Sequence, residues 1–167
     1  MIAVIDYGAG NIFSVKNALD YLGFDSMLTN KKEDIENADA LILPGVGAFP
    51  SAMSMLEKSG LIETIVSQSK QKPFLGICLG MQLIFEKGYE FEECNGLGLI
   101  PGCVKKMEEP DLIIPHMGWN KLEIQNDCPL LSGLEKDSYV YFVHSYKAEC
   151  DDKNIAAYSG YGGKVPA

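Results

Sequence analysis

The chain predicts an α/β protein: a mostly parallel sheet with helices on both faces, followed by an antiparallel β extension in the C-terminal part. Three observations carry this reading. Short, fully apolar runs (Ile2 to Ile5, Ala40 to Leu43, Phe74 to Ile77) alternate with segments whose apolar residues recur at helical spacing. Those runs do not alternate with polar residues, as strands covered on one face only would. From about Gly96 the helical spacing disappears, and short β-type runs are separated by Asn, Asp, Gly and Pro.

Taken in order, Ile2 to Ile5 ends in Asp6, with Gly8 and Gly10 as breakers. Ile12, Val15, Ala18, Leu19 and Leu22 then follow helical spacing until Gly23 stops the helix. Phe24 to Leu28 reads as a second strand, and Ala40 to Leu43 as a third, closed by Pro44-Gly45-Val46-Gly47. Met53, Leu56, Leu61, Ile62 and Ile65 place one or two helices before Pro73. Strand Phe74 to Ile77 and a helix from Leu79 to Glu86 complete this half. Beyond it, Leu112 to Ile114, Lys121 to Ile124, Tyr139 to Val143 and Ile155 to Tyr158 read as strands of hairpins. With 167 residues and no linker or repeat, residues 1–167 are expected to form a single domain.

Composition bounds the function classes. A net charge of −9, with no basic cluster beyond Lys31-Lys32 and Lys105-Lys106, argues against a nucleic-acid partner. Five cysteines at widely spaced positions, without a C-x-x-C, disfavour a zinc site or a thioredoxin-type motif, and no metal is expected. No run of eighteen apolar residues exists to span a membrane, and the N-terminus lacks a signal-peptide pattern. A reducing cytoplasm with free thiols is the expected setting.

The chemistry concentrates in Gly76-Ile77-Cys78-Leu79-Gly80-Met81-Gln82. A thiol between glycines, where a strand turns into a helix, is a cysteine form of the nucleophile elbow. The positive end of the following helix then faces the sulfur, which favours thiolate. A free cysteine is more commonly a buried core residue, and the heptapeptide alone weighs both readings evenly. Its neighbours decide. Asp6 to Asn11, Pro44 to Phe49 and Gly76 to Gly80 all fall at strand ends, where open parallel sheets bind ligands. Gly8-x-Gly10 fails as a dinucleotide fingerprint because Phe13 occupies the third small position, and Gly45-x-Gly47 fails because Pro50 does. A better use of Gly45, Val46 and Gly47 is to present backbone N–H donors to an oxyanion, with Leu79 N–H as a further donor. The thiol also needs a base, and His116 and His144 are the histidines present. Spacing favours His144, without resolving which acid would orient it.

These residues together resemble a family. The Cys78 heptapeptide is similar to the nucleophile motif of class I, triad-type glutamine amidotransferases. Asp6-Tyr7-Gly8-Ala9-Gly10-Asn11, Leu43 to Phe49, Pro115-His116-Met117-Gly118-Trp119-Asn120 and Tyr141-Phe142-Val143-His144-Ser145-Tyr146 narrow the resemblance to the glutaminase subunits of imidazole glycerol phosphate synthases. The resemblance implies a flavodoxin-like amidotransferase fold and a cofactor-free reaction. In it, Cys78 attacks the side-chain amide of glutamine, forms a thioester, and releases ammonia to a (β/α)8-barrel cyclase subunit in a heterodimer. It implies further that Gly45, Val46, Gly47 and Leu79 form the oxyanion hole. Gln82, His144, Ser145 and Tyr146 would hold the substrate's amino-acid end, and Asn11, Met117 and Trp119 would face the partner.

One departure is plain. The family's catalytic histidine and orienting glutamate lie in a C-terminal His-Pro-Glu-Lys segment that this sequence does not contain, and neither His116 nor His144 matches it. The ending reads as a truncation, and it is expected to expose a sheet edge. Loss of general acid–base help, worth roughly 10²–10⁴ in rate, predicts that the chain as written is nearly inactive. Rival readings are a paralogous glutaminase supplying another synthase, such as one forming amidino sugars, a catalytically dead partner-binding form, and a related cysteine hydrolase.

Overall fold

The computed structural model describes residues 1–135 and 137–167. The chain forms two compact units, Met1–Leu99 and Ile100–Ala167.

The first unit is built on a parallel sheet of β1 (Ile2–Ile5), β2 (Ser26–Thr29), β3 (Ala40–Gly45) and β4 (Phe74–Cys78), in the order β2-β1-β3-β4. Strand order reverses between β1 and β3, the switch point at which doubly wound sheets place their ligands. The helices are α1 (Ile12–Tyr21), α2 (Lys32–Asn37), α3 (Phe49–Ser59), α4 (Ile62–Gln68) and α5 (Leu79–Leu83). With right-handed crossovers, the connection from β1 to β2 runs opposite to those leading on to β3 and β4. It therefore sets α1 on one face and α2 to α4 on the other. α2 packs on α4, and α3 packs on α4 and α5. Val4, Ile5, Leu41, Leu43, Phe49, Leu56 and Ile65 are buried in this core.

Several boundaries differ from the sequence reading. α2 has no apolar periodicity; Ile35 is its buried anchor, and Lys72 Nζ donates to the carbonyls of Ile35, Glu36 and Ala38 at its C-terminal end. Those carbonyls have no partner within the helix, and a cation offsets the negative end of its dipole. On α1 the inward residues are Ile12, Val15 and Leu19, half-buried, whereas Ala18 and Leu22 are exposed. The helix expected from Leu79 to Glu86 ends at Leu83 and gives way to β5 (Phe85–Gly88), which pairs antiparallel with β6 (Cys94–Asn95). Backbone donors of Leu97 and Leu99 satisfy the carbonyls of Leu83 and Ile84, so the chain leaves the helix without stranding polar groups.

The second unit is antiparallel. β7 (Ile100–Lys106) pairs with β11 (Tyr146–Glu149), and β8 (His116–Lys121) with β10 (Tyr139–His144). β9 (Glu123–Ile124) and β13 (Lys164–Pro166) flank β12 (Ala157–Gly160). Its core joins Met107, Phe142 and Val165 to Ile114, Val140 and Tyr161. Two short 3-10 turns are its helical elements among the described residues. The apolar run Leu112 to Ile114 is not a strand: prolines at 110 and 115 bracket it, and a proline cannot donate to a sheet ladder. The run expected from Ile155 begins two residues later, at Ala157.

Candidate active site

Cys78 ends β4 and caps α5 with φ 56° and ψ −118°. An L-residue adopts that conformation only where its surroundings impose it. The surroundings are backbone. A Cβ on Gly76 would lie 2.6 Å from the Met81 Cα, and one on Gly80 would drive into the Leu43 carbonyl. The two glycines of the motif thus let the helix start fold directly back on its own strand and on β3. The side chain of Cys78 is exposed, unlike the four other cysteines, each half-buried. Burial, together with nearby carboxylates, pushes the thiols of Cys94 and Cys150 up. α5 is a five-residue turn, too short for the helix macrodipole expected from sequence; what it offers is the set of first-turn N–H groups, Leu79 first, that have no acceptor within the helix.

β3 delivers the second component. Gly45 stands opposite Cys78 in the parallel register, so the Gly45-Val46-Gly47 segment leaves the sheet beside the thiol-bearing turn. A Cβ on Gly45 would meet Gly80 N at 2.6 Å, the Leu79 side chain at 3.0 Å and the Tyr7 hydroxyl at 3.0 Å. Val46 is exposed, and Gly47 takes φ 95°. The loop after β1 closes on the same rim: a Cβ on Gly10 would lie 3.2 Å from Pro44 Cβ. The three glycine-rich loops expected at one rim of the sheet therefore meet there. Gln82 lies half-buried on α5. Asn11 is exposed, and its side chain caps α1 by accepting from Ser14 N–H at 3.3 Å.

Sequence reading missed two residues at this rim. Tyr7 is 5% exposed, and its hydroxyl finds no hydrogen-bond partner among the described residues; burial pushes its phenol up to about 12. Glu90 accepts from Phe49 N–H at 2.8 Å, holding the start of α3 just after the Gly45–Gly47 segment. Glu90 carries no local signal, and Tyr7, although it stands in the Asp6–Asn11 segment, none that marks its hydroxyl, because each role is defined by what lies beside the residue in space.

In the second unit, β8 and β10 place Met117 and Trp119 outward, exposed beside Tyr141 and Val143. Trp119 meets the Tyr141 ring edge-on at 5.6 Å. On the opposite face His116 and His144 stand directly across from each other, with His116 Nδ1 and His144 Nε2 2.9 Å apart. His144 Nδ1 is 2.9 Å from the Tyr146 carbonyl. Both ring nitrogens of His144 are thereby engaged, which counters its choice as the base on spacing. Ser145 joins β10 to β11, and its carbonyl accepts from Met107 N–H at 2.9 Å. Among the described residues, no cluster of His, Cys, Asp and Glu could hold a metal ion, and no helix is long and apolar enough to cross a membrane.

The chain as a whole is similar to known proteins. The family model described as glutamine amidotransferase class-I matches residues 3–165. The subunit HisH of imidazole glycerol phosphate synthase from Bacillus thuringiensis (strain Al Hakam) is 51% identical over 99% of this chain and 79% of its own length. The same subunit from Bacillus cereus (strain ATCC 10987 / NRS 248) is 50% identical over the same shares. Among solved structures, a crystal structure of a glutamine amidotransferase superposes with a TM-score of 0.74 at 20% identity, over 99% of this chain and 82% of that one. PurLQS from Thermotoga maritima gives 0.70 at 20% identity, over 99% and 76%; these likenesses show the fold. By the family model that matches residues 3–165 and by its identity to curated relatives, the chain belongs to the class-I glutamine amidotransferase family and, within it, to the HisH subunits of imidazole glycerol phosphate synthase.

Proposed function

We propose that this protein hydrolyses glutamine through Cys78 and passes the ammonia to the cyclase subunit of imidazole glycerol phosphate synthase in histidine biosynthesis. The observation that carries the reading is the exposed thiol at positive φ, held in register opposite Gly45. The sulfur attacks the side-chain amide carbon of glutamine, and the carbonyl becomes an oxyanion. Donors from the Gly45-Val46-Gly47 segment and from Leu79 N–H stabilise it, an effect that costs about 10²–10³ in rate when one donor is removed. The proton given up by the thiol passes to the amide nitrogen as the C–N bond breaks, ammonia leaves, and water then hydrolyses the thioester to glutamate and the free thiol. Gln82 and the segment His144, Ser145 and Tyr146 hold the amino-acid end. The partner is a (β/α)8-barrel subunit, contacted by Asn11, Met117 and Trp119. The exposed apolar residues Met117 and Trp119 support this, since such patches mark interaction surfaces. Five unpaired cysteines support a reducing, cytoplasmic setting.

The test uses the complete gene product that carries this chain, assayed with its synthase partner. Cys78→Ser is expected to lower glutamine hydrolysis about 10³-fold or more while leaving assembly intact. An electrophilic glutamine analogue is expected to add one adduct at Cys78, seen by intact mass and peptide mapping. Undiminished turnover by Cys78→Ser, or an adduct on another cysteine, overturns the reading.

A further inference from the structure

His116 is 0% exposed, and its imidazole is stacked between two rings: Phe142 with centroids 4.8 Å apart and Tyr161 at 3.9 Å, within 19° and 15° of parallel. Its Nε2 lies 2.9 Å from the side-chain carbonyl position of Asn120, its Nδ1 2.9 Å from His144 Nε2, and His144 Nδ1 2.9 Å from the Tyr146 carbonyl. Four residues thus form one continuous line of three hydrogen bonds, entirely within the second unit.

Counting protons gives the line a direction. The Tyr146 carbonyl can only accept, so His144 carries its proton on Nδ1. A neutral His144 then has a lone pair on Nε2, and His116 must donate to it from Nδ1. His116 Nε2 is left as an acceptor, which requires Asn120 to present its amide N–H there; the two ends of an amide are interchangeable by a half-turn. With the Asn120 oxygen inward instead, three bonds need three protons on four ring nitrogens. The pair then carries a positive charge inside an aromatic stack, which desolvation opposes. The neutral line runs one way: Asn120 Nδ2–H to His116, His116 Nδ1–H to His144, His144 Nδ1–H to Tyr146. Burial holds the His144 imidazole below its ordinary value, the direction that favours this neutral form, against the smaller opposing pull of the Tyr146 carbonyl.

We infer that His116 and Asn120 are positioning residues: acting through His144, they set the Tyr146 carbonyl and with it the 144–146 segment that holds the substrate's amino-acid end. This rests on the proposed function for the role of that segment, and on the geometry above for the line itself. The competing view, a histidine that merely fills the core, requires only the aromatic stack.

Two variants of the complete gene product, assayed with its synthase partner, separate these views. His116→Phe keeps a ring between Phe142 and Tyr161 but cannot donate; Asn120→Leu removes the amide while keeping the branching at Cγ, at a partly exposed position that leaves room for its larger methyl groups. Each is expected to raise the glutamine KM about three- to tenfold, the net worth of one hydrogen bond, with kcat changed less than about twofold. Nitrogen-15 NMR of histidine-labelled protein, assigned with His116 and His144 variants, is expected to show both rings protonated on Nδ1 and bare on Nε2. Where His116→Phe fails to fold, Asn120→Leu and the spectrum decide. An unmoved KM, or an Nε2–H tautomer at either histidine, overturns the inference. Gln82→Ala distinguishes the source of failure. If it raises KM while the relay variants do not, the positioning role falls alone. If it too leaves KM unmoved, the substrate reading falls and the positioning role falls with it.

Discussion

Cys78 holds φ 56° and ψ −118° at the end of β4, a conformation that costs on the order of 1–3 kcal/mol and survives because its neighbours leave no alternative. The cost is carried by backbone packing around Gly76, Gly80 and Gly45, each within 2.6 Å or less of other main-chain atoms once a Cβ is added. Gly80→Ala is therefore expected to destabilise by about 1–3 kcal/mol, lowering the melting temperature by several degrees and glutaminase activity with it. Gly160→Ala, where a Cβ meets nothing within 4 Å, is the neutral control in the same melting experiment. Tyr7 illustrates the opposite sign. Its buried hydroxyl finds no partner among the described residues, a penalty of about 1–3 kcal/mol. Tyr7→Phe is accordingly expected to raise thermal stability, and a lower melting temperature would show that the hydroxyl is paired in solution.

The β8–β10 ribbon shows how one element serves two purposes through its period of two. Inward residues His116, Phe142 and His144 build the aromatic and hydrogen-bonded interior, and outward residues Met117, Trp119, Tyr141 and Val143 form an exposed apolar face. Because the two sets alternate along the same strands, a change on one face leaves the other in place. Trp119→Ala removes the largest outward side chain, 69% exposed, without opening the core. It is expected to weaken assembly with the synthase partner by about tenfold or more, as truncated aromatic anchors do, while leaving the melting temperature within a few degrees. Calorimetric titration of the partner measures the first effect, and a thermal melt the second. The elements of the first unit were mostly readable from their apolar runs, but α2 left none, and of α5 only the start was readable. Its amphipathic spacing continues past Leu83, yet the chain turns there into β5, because the second strand β6 supplies pairing that a longer helix would forgo.

For the molecule as a whole, the half-buried His144 ties stability to pH. Its folded-state affinity for protons is lowered, chiefly by burial, from the ordinary value of 6.5. Above that value the group is neutral in both states and its contribution is complete. As pH falls through 6.5 the unfolded chain takes up a proton that the folded chain resists, so stability is lost toward acid. The urea midpoint is expected to fall between pH 7.5 and 5.5, and to fall less in His144→Gln; equal slopes would remove His144 as the cause. Much of this protein was legible in the sequence. Apolar runs and helical spacing marked β1, β3, β4 and α1, because continuous apolar strands and a helix closed by a glycine at positive φ leave local patterns. The glycines around Cys78 and in the Gly45–Gly47 segment marked the candidate site, because tight backbone approach requires them. Strands β8 and β11 left weaker marks, since their mixed polar and aromatic residues depend on partners far along the chain. The sequence by itself determined the family, the fold class and the thiol. Only the tertiary structure decided that His116 and His144, rivals for one role when read in line, are hydrogen-bonded partners. The physical reason is that antiparallel register sets opposite one another residues 28 positions apart, and spacing along a chain does not record it.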